Sequence, residues 1–254
     1  MIELEDDGSG DDRVAVLRLD HGPVGAMDVE LCDAIAERFR ALAASPVRAV
    51  VVTGTGRAFS AGVDLKRFLA GGAPYVERFL PALCESFRAV FELSKPVVAA
   101  LNGHAIAGGC VLAACADVRL MADGGGRIGV PEARVGPPFP RIAIEVLRHT
   151  VGDVVARRLT IGALTYPPAE ALSMGLVDRV LPPEEVLQQA VATARAMATE
   201  VPPDTFALTK AQLRRDALER TSRYADEDAA VTELWSRRAA DGWTARYLES
   251  VTRG

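Results

Sequence analysis

The most constraining stretch of this chain is residues 97–116, VVAALNGHAIAGGCVLAACA, twenty residues in which only Asn102 and His104 are strongly polar. That is about the length needed to span a bilayer. Asn102-Gly103 and Gly108-Gly109 nevertheless place turn chemistry inside it, and Lys95-Pro96 and Asp117 bound it. The stretch therefore reads as a buried strand, a turn and a buried helix, which demands apolar layers on either side. Aromatic residues make up only 6% of the chain, so those layers must be filled mostly by Ala, Val, Leu and Ile, whose small side chains let backbones approach closely.

Other segments supply the layers. Val14–Leu19 reads as a strand; Leu31, Cys32, Ile35, Phe39 and Leu42 recur at helical spacing; 47–52 is a continuous apolar run. This is the order of a βαβ unit, and continuous rather than alternating hydrophobicity in 47–52 and 97–101 predicts a parallel sheet covered on both faces. A helix is expected over roughly 75–93, with Phe79, Leu83, Phe87 and Val90 inward. Val118–Ala122 reads as a further strand, followed by the Gly124-Gly125-Gly126 turn and a Pro-dense stretch at 137–140. The last hundred residues read as helices at 154–161, 168–172, 184–198, 203–218 and 222–240, with only 177–181 extended. The expected organisation is an acidic, flexible start over 1–12, an α/β core over 13–185 and a helical region over 186–254.

Charge and cysteine content narrow the function classes. The formal net charge is −5, and the 26 Arg and 3 Lys form no run longer than two, so no basic patch is available for a nucleic acid, although single Arg side chains suit one small anion. The first twelve residues carry six acids and no base, the opposite of a targeting segment. Cys32, Cys84, Cys110 and Cys115 form no CxxC pair and lack the His spacing of a zinc site. No metal, no membrane anchorage and a reduced, cytoplasmic setting are expected.

Gly54-Thr55-Gly56 follows a strand, but Phe59 stands where a dinucleotide fingerprint needs a third small residue. P-loop and G-x-S-x-G patterns are absent, and with only His21, His104 and His149 a Ser-His-Asp triad has little support. Two other turns, 59–65 (FSAGVDL) and 102–110 (NGHAIAGGC), each follow a buried strand and precede a helix. Either one alone reads as a tight turn. As a pair in one sheet, their backbone N–H groups could converge on a single oxygen, as an oxyanion hole requires.

The residues 54–65, GTGRAFSAGVDL, and 102–117, NGHAIAGGCVLAACAD, resemble the paired signatures of the enoyl-CoA hydratase/isomerase (crotonase) superfamily. The resemblance continues through 128–136, IGVPEARVG, and 166–186, YPPAEALSMGLVDRVLPPEEV, and covers roughly 13–240. It implies a crotonase-like ββα spiral core with a C-terminal helical region that trimerises, assembled as a homotrimer or dimer of trimers, with acyl-CoA thioesters as substrates. Coenzyme A would enter as part of the substrate, with no separate cofactor. By position within the motifs, the oxyanion hole would come from the N–H groups of Val63 and Gly108. Ala61, Asp64 and Leu65 would line the CoA adenosine, and Arg57 and Lys66 would contact its phosphates.

The resemblance also places the carboxylates. Hydratases of the family use two glutamates; the first position, three residues after the oxyanion glycine, is Val111 here, and the second is Glu132. Two carboxylates suit addition of water to a double bond, whereas one base in a dry pocket suits carrying a proton from C2 to C4. The active-site pattern is most similar to the one-glutamate Δ3,Δ2-enoyl-CoA isomerases. The expected reaction moves a 3-enoyl-CoA double bond to the 2-position through a dienolate, with Glu132 as base, its pKa raised by apolar surroundings. The alternatives are an enoyl-CoA hydratase of fatty-acid β-oxidation, a non-catalytic acyl-CoA binder, and a superfamily enzyme acting on another CoA ester, since each uses the same oxygen-binding turns. Gly136-Pro137-Pro138-Phe139-Pro140 departs from the Gly-rich segment of hydratases and predicts a stiffer, bulkier acyl pocket. Cys110 reads as a small packing residue, or as a thiol of lowered pKa beside a helix start.

Overall fold

A computed structural model of the chain describes residues 2–7 and 13–252. In chain order the strands are β1 (Ile2–Asp7), β2 (Val14–Leu19), β3 (Ala26–Met27), β4 (Ala49–Gly54), β5 (Ala58–Ser60), β6 (Gly62–Val63), β7 (Val97–Leu101), β8 (His104–Ile106), β9 (Val118–Ala122), β10 (Ile128–Gly129), β11 (Thr165–Tyr166) and β12 (Arg179–Leu181). The helices are α1 (Val29–Ala43), α2 (Leu65–Glu92), α3 (Gly108–Ala114), α4 (Glu132–Val135), α5 (Arg141–Gly162), α6 (Pro168–Ser173), α7 (Val186–Glu200), α8 (Pro203–Arg223), α9 (Glu227–Ala240) and α10 (Trp243–Thr252).

The main sheet runs β1-β2-β4-β7-β9-β12, parallel except for β1, which lies antiparallel on β2. Strand alternation sorts its residues into two apolar layers. Leu17, Leu19, Val50, Val52, Ala99 and Leu101 face α1, α2 and α3, where Leu31, Ile35, Phe39, Phe79, Leu83 and Phe87 complete the core. Val14, Val16, Ala49, Val51, Val98 and Ala100 face the other way, onto Val186, Ala190, Val191 and Ala194 of α7. The unbroken apolar runs 47–52 and 97–101 thus arise because neither face meets water. Each fully buried Val or Leu contributes about 1.5–3 kcal/mol by leaving water.

A smaller sheet, β11-β10-β8-β5, carries the motif turns, and β3 pairs with β6. The apolar stretch 97–116 becomes β7, a turn, β8 and α3. Among the described residues no helix is long and apolar enough to cross a membrane.

Four differences from the sequence reading have physical causes. The acidic start expected to be flexible pairs at residues 2–7 as β1, with the Arg18 guanidinium 4.0 Å from Glu3 and 3.8 Å from Glu5; residues 8–12 of that segment lie outside the described residues. α2 is two helical segments that meet at the non-helical Gly72 (φ +56°, ψ −151°): the second is the helix expected over 75–93, and the unexpected first one starts at Leu65, where the Asp64 carboxylate accepts from the Lys66 and Arg67 N–H groups at 3.0 Å. α5 is likewise two helical segments that meet at the non-helical Gly152 (φ +72°): the second is the helix expected over 154–161, and the unexpected first one starts at Arg141, whose N–H donates to Asp228 Oδ1 of α9 at 2.8 Å. The helix expected over 222–240 is α9, which begins only at Glu227 because α8, expected to end at 218, runs on to Arg223. In addition, α7, the first helix of the region read as an assembly element, is itself a layer of the core.

Candidate active site

The two Gly turns meet. β5 and β8 are parallel neighbours, so the turn after each lies at the same end of the small sheet. Asn102 braces the 54–58 turn that leads into β5: its Oδ1 accepts from Gly54 N at 2.9 Å, and its Nδ2 donates to the Gly56 and Ala58 carbonyls at 3.1 and 3.2 Å. Gly62, at φ +78°, lies so close to the second turn that a Cβ would sit 2.5 Å from the Ile106 carbonyl oxygen and 3.1 Å from Gly108 N. Reciprocally, a Cβ on Gly109 would sit 2.4 Å from the Ser60 carbonyl oxygen. Neither position accommodates a side chain without moving backbone.

This contact sets the direction of two N–H groups. Asp64 N donates to the Met27 carbonyl at 2.9 Å across the β3–β6 pair; alternation along a strand turns the neighbouring Val63 N–H the opposite way. Gly108 is the first residue of α3, where N–H groups have no partner within the helix, and the Ala107 before it holds φ +54° and ψ −126°. Val63 and Gly108 both line one small cavity.

Glu132 reaches that cavity from the third strand of the small sheet. β10 pairs with β8, Ala107 N donates to the Gly129 carbonyl at 2.8 Å, and α4 starts three residues later at Glu132. Among the described residues that line the cavity, Glu132 is the sole carboxylate, and the neighbouring wall carries Val111, Leu83, Phe87 and Ala143. Glu132 is 8% exposed, and its Oε2 has no hydrogen-bond partner. Burial pushes its carboxyl from 4.5 up to about 8, against the opposing pull of its own backbone N–H. A carboxylate with one bare oxygen in an apolar pocket is a proton acceptor poised near neutral pH.

The remaining predicted residues divide. Ala61, Asp64 and Leu65 are partly buried around the turn that enters α2, while Arg57 and Lys66 are exposed on either side of it; none of the five lines the cavity. Asp64 is occupied in capping α2. Burial pushes the Cys110 thiol up, with the Glu132 charge adding to it, so Cys110 packs and is not activated. Sequence reasoning missed Trp235 of α9, which closes the cavity from 103 positions beyond Glu132 with no local motif to announce it. It also missed Tyr247 of α10, whose phenol is pushed up by burial and by the Glu132 charge. Among the described residues no group of three or more His, Cys, Asp or Glu side chains is placed to hold a metal.

Comparison with known proteins identifies the family. Residues 9–250 match the model of the family described as enoyl-CoA hydratase/isomerase. The chain is 35% identical over 202 residues to a putative enoyl-CoA hydratase of Thermus thermophilus, covering 77% of each chain. It is 31% identical over 226 residues to human mitochondrial enoyl-CoA delta isomerase 1, covering 88% of this chain and 74% of that one. The crystal structure of human mitochondrial delta3-delta2-enoyl-CoA isomerase superposes with a TM-score of 0.88 at 26% identity, covering 98% of both chains. With the crotonase fold, the paired glycine turns and the match across nearly its whole length, the chain belongs to the enoyl-CoA hydratase/isomerase family.

Proposed function

We propose that this protein is an isomerase that shifts the double bond of a 3-enoyl-CoA to the 2-position with Glu132 as its single base. The Glu132 carboxylate takes a proton from C2; the electron pair delocalises through the carbonyl and the double bond into a dienolate. The enolate oxygen accepts from the Val63 and Gly108 N–H groups, and Glu132 returns the same proton to C4. Fixed N–H donors act where the charge develops, inside a dry pocket, so they need no reorganisation as the reaction proceeds. On this reading Ala61, Asp64 and Leu65 border the CoA adenosine, and Arg57 and Lys66 meet its phosphates from the exposed rim. A homotrimer or dimer of trimers is part of the proposal, with exposed apolar residues such as Val154 and Ile161 of α5 and Leu208 and Leu213 of α8 available to assembly.

The observation that carries this reading is the lone carboxylate: the cavity wall has Val111 where a hydratase would place the first of its two glutamates. Without that group, nothing else on the described wall both orients a water and protonates carbon. Purified protein supplied with trans-3-hexenoyl-CoA should produce the conjugated 2-enoyl thioester absorbance, and supplied with 2-hexenoyl-CoA should consume it far more slowly. Equal rates in the two assays would make the protein a hydratase, and binding without turnover would make it an acyl-CoA carrier.

A further inference from the structure

We infer that Trp235 restricts this protein to short acyl chains, by closing the far wall of the cavity against the tail beyond the reacting carbons. The inference rests on the reading of the cavity as the acyl site. The volume open to water beside Glu132 is about 20 Å³, room for roughly one water molecule. Along with Val63 and Gly108, its wall includes Pro138, Phe139, Pro140 and Trp235.

That wall is clamped. Trp235 is 3% exposed, and its indole N–H donates to the Pro138 carbonyl at 2.7 Å. Its ring meets Phe68 edge-on at 5.3 Å and Phe79 at 5.9 Å, which fixes it against α2. α9, which carries Trp235, also holds the other end of the Pro-rich segment, because its Asp228 accepts from the Arg141 N–H at 2.8 Å. Prolines at 137, 138 and 140 restrict the backbone between these two points. A long tail must therefore displace an indole anchored by a hydrogen bond and two aromatic contacts.

The test compares kcat/KM for trans-3-hexenoyl-CoA and trans-3-dodecenoyl-CoA in wild type, Trp235→Leu and Trp235→Phe. The wild-type ratio is expected to favour hexenoyl by about tenfold or more, and Trp235→Leu to shrink that ratio by about tenfold. Trp235→Phe, which keeps an aromatic ring against Phe68 and Phe79, guards against loss of fold and should shift the ratio in the same direction by a smaller factor. Binding of saturated hexanoyl-CoA and dodecanoyl-CoA is measured calorimetrically on the same three proteins, since it needs no turnover. Preference for hexanoyl-CoA that Trp235→Leu erases, in a protein that isomerises neither enoyl ester, would sink the isomerase reading and leave the chain-length limit standing. Isomerisation of both esters at similar kcat/KM by wild type, or an equal loss on both in Trp235→Leu, would overturn the limit and leave the isomerase reading intact.

Discussion

Glu132 is held in a state that disfavours its charge, and this has opposite consequences for activity and for stability. Its pKa of about 8 means that the base form accumulates as pH rises, so kcat/KM for isomerisation should climb through about pH 8 and level off above it. Stability runs the other way. The folded-state pKa lies above the unfolded value of 4.5, so the folded protein binds the extra proton; its stabilisation is complete below about pH 4.5 and is lost as pH rises through 8. Glu132→Gln should accordingly melt at a higher temperature than wild type at pH 9, by an amount that vanishes near pH 4.5. The same substitution should lower turnover by about a hundredfold or more. Ala107 carries a second local cost, since a residue with a Cβ at φ +54° and ψ −126° occupies a sparsely populated backbone region. Chemical denaturation should show Ala107→Val losing about 2 kcal/mol or more, because a β-branched side chain fits this conformation poorly, while Ala107→Gly loses nothing.

Among the elements, α10 decides how dry the base remains. It binds the short α4 through the Thr244 hydroxyl, which donates to the Val135 carbonyl at 3.0 Å, and through the Trp243 indole, which donates to the Arg134 carbonyl at 3.0 Å. Thr244→Val leaves the buried Val135 carbonyl without that donor, which should cost about 1 kcal/mol in urea denaturation. By loosening the cover over Glu132 it should also move the midpoint of the pH–rate profile below that of wild type. Elements marked by their own residues were legible: β2, β7 and β9 lie where hydrophobic runs placed them, and Asn102-Gly103 and Gly108-Gly109 divide the apolar stretch as their turn chemistry demands. The first segments of α2 and α5, before Gly72 and Gly152, were not. Gly71-Gly72-Ala73-Pro74 masks the helical segment that Asp64 caps, and α5 takes its first hydrogen bond from Asp228, 87 positions away. Local pattern carries no information about such a partner.

At the scale of the whole molecule, one buried ionic cluster ties the C-terminal helices to the sheet. Asp117 accepts from Lys210 at 2.7 Å and from Arg214 at 2.6 Å, both on α8, and also from Val97 N at 2.8 Å. Asp117→Asn would leave two buried cations without their counter-charge, and equilibrium unfolding should record a loss of about 3–5 kcal/mol. This long-range closure also explains which parts of the candidate site could be read in advance. Val63, Gly108, Val111 and Glu132 sit in motifs whose backbone geometry is local, and the small sheet brings all four to one cavity. Trp235 reaches it, and Tyr247 comes within the field of the Glu132 charge, from helices whose packing depends on Phe68, Phe79, Val135 and Arg134, so no neighbouring residue marks them. The central claim is that one carboxylate moves one proton between two carbons of the substrate. Its most direct test follows trans-3-hexenoyl-CoA in deuterium oxide and in water with wild type and Glu132→Gln, recording rate and product. The account predicts formation of 2-hexenoyl-CoA by wild type and its loss by about a hundredfold or more in Glu132→Gln; undiminished isomerisation by Glu132→Gln, or 3-hydroxyhexanoyl-CoA as the main wild-type product, would contradict it.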